Sequence, residues 1–140
     1  VRLSLSLASS LTETHAALRM ILILRSLALI GQACAVLGAV FLLNIGLTWL
    51  PMGLAWGLLA ATNLYTLWRL SRSVPISQAE LAAQLATDVA ALTLQLMFSG
   101  GLANPFVLFY CLLVAVAAVL LSTSGALMIT VLSLLGLLFN

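Results

Sequence analysis

Lysine is absent from this sequence of 140 residues, and the other charges are scarce, with five Arg against three acidic residues and a formal net charge of +2. Charged residues make up 6% of the chain, where a soluble domain carries about 25%. So little charge cannot furnish the polar shell of a soluble enzyme. Five arginines without lysine are too few for a patch that tracks phosphates, which excludes a nucleic-acid binder. Hydrophobic residues make up 64%, which excludes a disordered tail. Cysteine is limited to Cys34 and Cys111, each inside an apolar run. No metal-type spacing links the two, and they are expected to pack as small apolar residues. No hydrolase triad, phosphate-binding glycine loop or metal site is recognisable.

What the sequence has in quantity is apolar length. A mean hydropathy of +1.29 reads as an integral membrane protein. With a window of roughly 20 residues per crossing, spans fall at about 20–43, 50–68, 79–98 and 105–121. A fifth begins at 124 and reaches the end at 140, inside an apolar run, so the chain reads as a piece of something longer. The expected fold is an all-α polytopic bundle of four full spans and the start of a fifth. Residues 1–19 are expected to be a cytoplasmic N-terminal segment, loosely ordered over Val1–Thr14. His15 within it is expected to be solvated.

The connections are short, and only 69–78 carries basic residues, Arg69 and Arg72. Arg2, Arg19 and Arg25 precede or open the first span. With alternating helices all five lie on one side, which the positive-inside rule makes the cytoplasm. The connections Asn44–Trp49 and Ser99–Asn104 then face outward. Ser77-Gln78-Ala79-Glu80 fits a capping box at the start of the third helix. Asn104-Pro105 fits an N-cap followed by proline at the first helical position. Trp49, Tyr65 and Trp68 lie near span ends, as interface anchors do.

Polar residues inside the spans are the first place to look for function. Glu80, Gln84, Asp88 and Gln95 fall on one face of the third helix at 3.6 residues per turn. Gln32, Asn63 and Asp88, counted inward from Arg25, Arg69 and Glu80, lie at similar depths of about 9–12 Å. They are expected to form one polar layer, which is either a clamp that fixes helix rotation or a proton- or signal-linked element. Gly31, Ala35 and Gly38 present a small face on the first helix, suited to close helix packing.

One stretch between the third and fourth spans stands apart, Gly100-Gly101-Leu102-Ala103-Asn104-Pro105-Phe106. This GGLANPF resembles the GGxxNPF heptapeptide of the RegB/PrrB family of redox-responding sensor histidine kinases. The resemblance extends to Leu85–Leu92 (LATDVAAL), similar to that family's acidic third span, and to Arg25–Gln32 (RSLALIGQ) in the first. It covers most of residues 18–121, and the heptapeptide is its specific part. It implies a membrane domain that binds ubiquinone at Gly100, Gly101, Asn104, Pro105 and Phe106 and controls a cytoplasmic kinase. It further implies a homodimer in a bacterial inner membrane, with phosphotransfer to a response regulator. The family's sixth span, phosphorylated histidine, ATP-binding domain and cytoplasmic redox cysteine lie outside this sequence, so no catalytic residue is expected here.

The local chemistry suits a quinone head. Glycines let a flat ring approach the backbone. The amides of Phe106, Val107 and Leu108 at a helix start offer donors, and Asn104 offers a donor and an acceptor. Phe106 is placed to stack on the ring, with Trp49 and Phe98 as a second wall. Two other classes fit the composition: a small transporter or permease subunit, suggested by a midplane Asp88, and a structural membrane-assembly subunit.

Overall fold

The computed structural model describes residues 2–42, 44, 49–72 and 74–140, with side chains from residue 13 onward. The chain folds into α1 (Arg2–Phe41), α2 (Trp49–Leu70), α3 (Gln78–Met97), α4 (Phe109–Leu120) and α5 (Thr123–Leu138). Two 3₁₀ turns, Gly101–Ala103 and Pro105–Leu108, join α3 to α4. Among the described residues there is no strand. Each stretch expected from the sequence holds one α-helix, but α1 begins at Arg2 rather than at 20 and α4 at Phe109 rather than at 105. One of them, over Glu13–Phe41, is long and apolar enough to cross a membrane. The last two are apolar but shorter, at Pro105–Leu120 and Thr123–Leu138.

Three expectations about boundaries are corrected. Arg2–Thr14 is the opening of α1 and not a loose lead-in, because no glycine or proline interrupts the chain before Gly31. Within it His15 is half-buried, and its Nε2 is buried with no partner among the described residues, where a solvated side chain is expected. Pro105 does not open an α-helix directly. It opens a 3₁₀ turn, which Asn104 tightens by accepting from Phe106 N through its side chain (2.9 Å) and from Val107 N through its carbonyl (3.0 Å). The capping box at Ser77 is half formed. Its hydroxyl accepts from Glu80 N at 3.1 Å, but the Glu80 carboxylate turns away to Arg69. Residues 45–48 of the first outward connection, and the end of the first span at 43, lie outside the described residues.

The contacts fix the helix directions. Arg25 meets Asp88 and Gln32 meets Gln95, so α1 and α3 run the same way. Thr66 meets Gln84 and Arg69 meets Glu80, so α2 runs against them. Gln78 meets Leu120 and Ser122, and Thr93 meets Tyr110, which sets α4 antiparallel to α3. α3 packs on α2, α4 and α5, and α1 packs on α2. One end of this up-and-down arrangement carries Glu13, Arg19, Arg69, Arg72 and Glu80; the other carries the glycine turn and no charge.

The core is apolar, with Leu18, Ile21, Leu81, Leu85, Leu96 and Ile129 almost fully buried, but polar side chains lie in it too. Arg25, Gln32, Thr66, Gln84, Asp88, Gln95 and Ser133 are buried, while Ile30, Phe41, Leu50, Leu64, Val119 and Leu138 are exposed. Gly31 and Gly38 have open space beside them. Among the described residues, nothing therefore packs closely on the glycines of the small face of α1. Cys34 and Cys111 are exposed and free, so they are not core packing residues.

Candidate functional site

The polar face of α3 meets α1 and α2 in a ladder of four rungs. At the charged end, Arg69 Nε and Nη2 donate to the Glu80 carboxylate at 2.6 and 2.7 Å, and the Tyr65 hydroxyl donates to it at 2.9 Å. Arg72 lies over the Trp68 ring, 4.8 Å from its centroid. In the next rung Thr66 Oγ1 donates to Gln84 Oε1 at 2.9 Å. Deeper, Arg25 forms a two-pronged ion pair with Asp88, Nε to Oδ1 at 2.6 Å and Nη2 to Oδ2 at 2.8 Å. Its remaining nitrogen reaches Asn63 Oδ1 at 3.3 Å and Thr66 Oγ1 at 3.4 Å. Last, Gln95 Nε2 donates to Gln32 Oε1 at 3.0 Å.

The single layer expected from Gln32, Asn63 and Asp88 is thus two layers. Arg25 joins Asn63 to Asp88, and Gln32 pairs one step further along, with Gln95. The error came from treating Arg25 as a boundary residue. It is 4% exposed and level with Asp88, so depth on α1 has to be counted from nearer its start. Four arginines, not five, remain for the boundary, and the Arg2 side chain lies outside the described residues. Burying a charge pair is costly unless its geometry is good and its other polar atoms are satisfied; the fork of Arg25 on Asp88 supplies the geometry, and the remaining nitrogen makes only the two long contacts.

Beyond Gln95 lies a half-open cavity of about 360 Å³, lined by residues of α1, α2, the end of α3 and the glycine turn. Ligand pockets begin at about 300 Å³. Gly100, Asn104, Pro105 and Phe106 all line it. The heptapeptide therefore gathers around one space, apart from Gly101 and Leu102. Gly100 and Gly101 adopt φ of 111° and 55°, values that favour glycine. Nothing stands within 4 Å of a side chain added at Gly100, whereas one at Gly101 would meet Asn140 O at 2.7 Å. The opposite wall comes from Trp56 of α2. Trp49 and Phe98, expected in that place, are exposed and do not line the cavity.

The polar groups of the turn are largely engaged with the chain itself. Asn104 Oδ1 accepts from Phe106 N, and Nδ2 donates to Ser99 O at 2.9 Å and Ser99 Oγ at 2.8 Å. The amides of Phe106 and Val107 are taken by Asn104. Asn104 is therefore the strut of the turn, and two of the three helix-start donors expected for a ligand, the Phe106 and Val107 amides, are not available. The unpaired buried polar atoms are elsewhere on the wall. Trp56 Nε1 and Gln95 Oε1 have no partner among the described residues, each at a cost of about 1–3 kcal/mol. A central tryptophan, seven residues inside the boundary Trp49 and away from any interface belt, was the signal in the sequence for this wall.

Family models, curated proteins and solved structures yield no match to this chain. What the cavity does is therefore argued from its own chemistry. It has an apolar body, one aromatic wall at Trp56, another at Phe106, and two unsatisfied polar atoms. Among the described residues no group of acidic, histidine or cysteine side chains is arranged to hold a metal.

Proposed function

We propose that this chain is the ubiquinone-sensing membrane domain of a RegB/PrrB-type sensor histidine kinase, with the cavity behind the glycine turn as its quinone site. The observation that carries this is the convergence of Gly100, Asn104, Pro105 and Phe106 on one space of about 360 Å³. Ubiquinone supplies a flat ring with two carbonyl oxygens that become hydroxyls on reduction, and a tail that belongs in lipid. Phe106 and Trp56 offer apolar faces to such a ring, and the open space over Gly100 leaves room for its approach.

The polytopic membrane reading rests on the polar side chains buried within the helices and the large apolar ones left outside. Polar side chains point inward in a ladder, and large apolar ones cover the outside, as lipid requires. The 22 residues of α2 and the 20 of α3 span about 33 and 30 Å at 1.5 Å per residue, enough for the hydrocarbon core. Trp49, Tyr65 and Trp68 are exposed near helix ends, where aromatic anchors belong. Arg19, Arg69 and Arg72 at one end set that end, and the N-terminus, in the cytoplasm. The membrane is a bacterial inner membrane, and the glycine turn faces outward.

Sensing requires an occupant that favours one arrangement of the helices over another. The cavity is bounded by the end of α3 and by the 3₁₀ turn leading into α4, so occupancy bears on the relative position of these two helices. That shift is passed inward to the kinase region of a homodimer and on to a response regulator. The test is equilibrium binding of ubiquinone to the chain in lipid nanodiscs. Phe106→Ala is expected to weaken binding about tenfold, and Asn104→Ala to weaken it by loosening the turn. Wild-type protein that binds no ubiquinone contradicts the proposal and leaves the transporter and assembly-subunit readings.

A further inference from the structure

Inward of the large cavity, toward the charged end, a second space of about 60 Å³ lies in the seam between α1 and α4. α1 packs on α2, and α4 packs on α3 and α5, so the seam has α3 as its floor. Leu24 and Ala28 of α1 form one wall, and Phe109, Leu113 and Val116 form the other. From Leu85 to Gln95 the floor runs for about 15 Å at 1.5 Å per residue. Arg25 and Asp88 lie along it, yet the surface of the cleft is almost wholly apolar, their polar atoms being engaged with each other. The cleft is half-open, and too small for a ring, since benzene occupies a cavity of about 150 Å³.

Three residues, Gln32, Leu92 and Gln95, line both spaces, so the two abut at the Gln32–Gln95 pair. They also follow one seam. The large cavity has Ala35 and Ala39 of α1 on one side and Phe106, just ahead of Phe109, on the other. We propose that the cleft takes the isoprenoid tail of the ligand whose head occupies the large cavity. The assignment rests on the quinone reading and adds a second subsite to it. A flat head on a long thin tail fits a wide space that continues into a narrow apolar one. The direction agrees, because a tail leaving a head near the outer end runs inward, toward the middle of the bilayer. The open side lets the rest of a long tail pass into lipid. Lipid is as apolar as leucine, so entering the cleft brings the tail no transfer energy. What the cleft contributes is close contact, and its width decides what is admitted. Ala28, the smallest side chain on the α1 wall, sets that width.

The experiment compares ubiquinone-0, which has no tail, with ubiquinone-2, which has two isoprenoid units, for binding to the whole chain in nanodiscs. Ala28→Phe fills the cleft and is expected to weaken ubiquinone-2 about tenfold, equivalent to about 1.4 kcal/mol, with ubiquinone-0 changed less than about twofold. In wild type, a ubiquinone-2 carrying a diazirine at the end of its tail is expected to label the peptides that contain Ala28 and Leu113. This second readout decides where Ala28→Phe does not fold or ubiquinone-0 is not held. Equal changes for both ligands, or no change for either, overturn the tail assignment and leave the quinone site standing. So does a label spread over the outer apolar faces, the pattern left by a cleft filled with an ordinary acyl chain. Wild type that binds neither ligand overturns the quinone reading itself.

Discussion

Replacing Asp88 by leucine leaves the Arg25 guanidinium, 4% exposed, without its counter-ion. The contacts that remain to it, Asn63 Oδ1 at 3.3 Å and Thr66 Oγ1 at 3.4 Å, are long and neutral, each worth about 1 kcal/mol or less. Breaking a buried pair from one side costs about 3–5 kcal/mol, and Arg25→Leu is expected to cost as much by stranding the carboxylate. The double variant Arg25→Leu/Asp88→Leu buries no charge and puts two alkyl chains where the fork was. Apolar replacement of a whole pair is often neutral or better. Its expected cost is therefore about 1 kcal/mol, mainly from the partner Asn63 loses. The assay is a double-mutant cycle on the chain in detergent micelles, unfolded with SDS and followed by helical circular dichroism. A coupling of at least about 3 kcal/mol is expected. Costs that simply add, or an Asp88→Leu variant as stable as wild type, refute the reasoning that the pair is mutually dependent. The same variants in the proposed parent kinase separate the two roles of the ladder: a stable double variant that still responds makes the pair a clamp, and one that has lost its response makes it part of the signal.

Gly136→Ala is expected to lower the unfolding midpoint, by about 1–3 kcal/mol, because a methyl group there meets Thr93 Oγ1 and the Tyr110 hydroxyl, each at 2.6 Å; a neutral effect in the same SDS titration speaks against the α3–α5 packing. Ser77→Ala removes the oxygen that caps Glu80 N and is expected to cost about 1 kcal/mol, seen as faster amide exchange in the first turn of α3. Reading the coding sequence beyond Asn140 tests the parentage: a sixth span, a histidine-bearing dimerisation helix and an ATP-binding domain are expected, and an immediate stop codon is not.

The helices and their order were legible because lipid-scale apolar runs are long, and because Ser77 and Asn104-Pro105 mark two helix starts with their own chemistry. The polar face of α3 was legible from spacing alone, since Glu80, Gln84, Asp88 and Gln95 repeat at helical intervals. Arg25 was misread because a charge near a span end is most simply a boundary marker, and only the partner reveals a charge as buried. Once Arg25 served as the origin of depth, Gln32 was placed level with Asp88 when it lies a rung beyond. Trp49 was chosen over Trp56 because loops were matched to loops. The wall is made by the interior of α2, and tertiary packing decided which tryptophan reached it. Five residues of the heptapeptide do line one cavity, but its asparagine is consumed by the turn, a competition that spacing cannot decide.

The central claim is that a quinone head sits in the space between Trp56 and the glycine turn. Cross-linking with a photoreactive ubiquinone analogue, followed by peptide mapping, tests it most directly. Labels are expected on the peptide containing Gly100–Phe106 and on the one containing Trp56, both suppressed by excess ubiquinone and reduced in Phe106→Ala. Labelling confined to the outer apolar faces, or unmoved by the competitor and the variant, contradicts the claim.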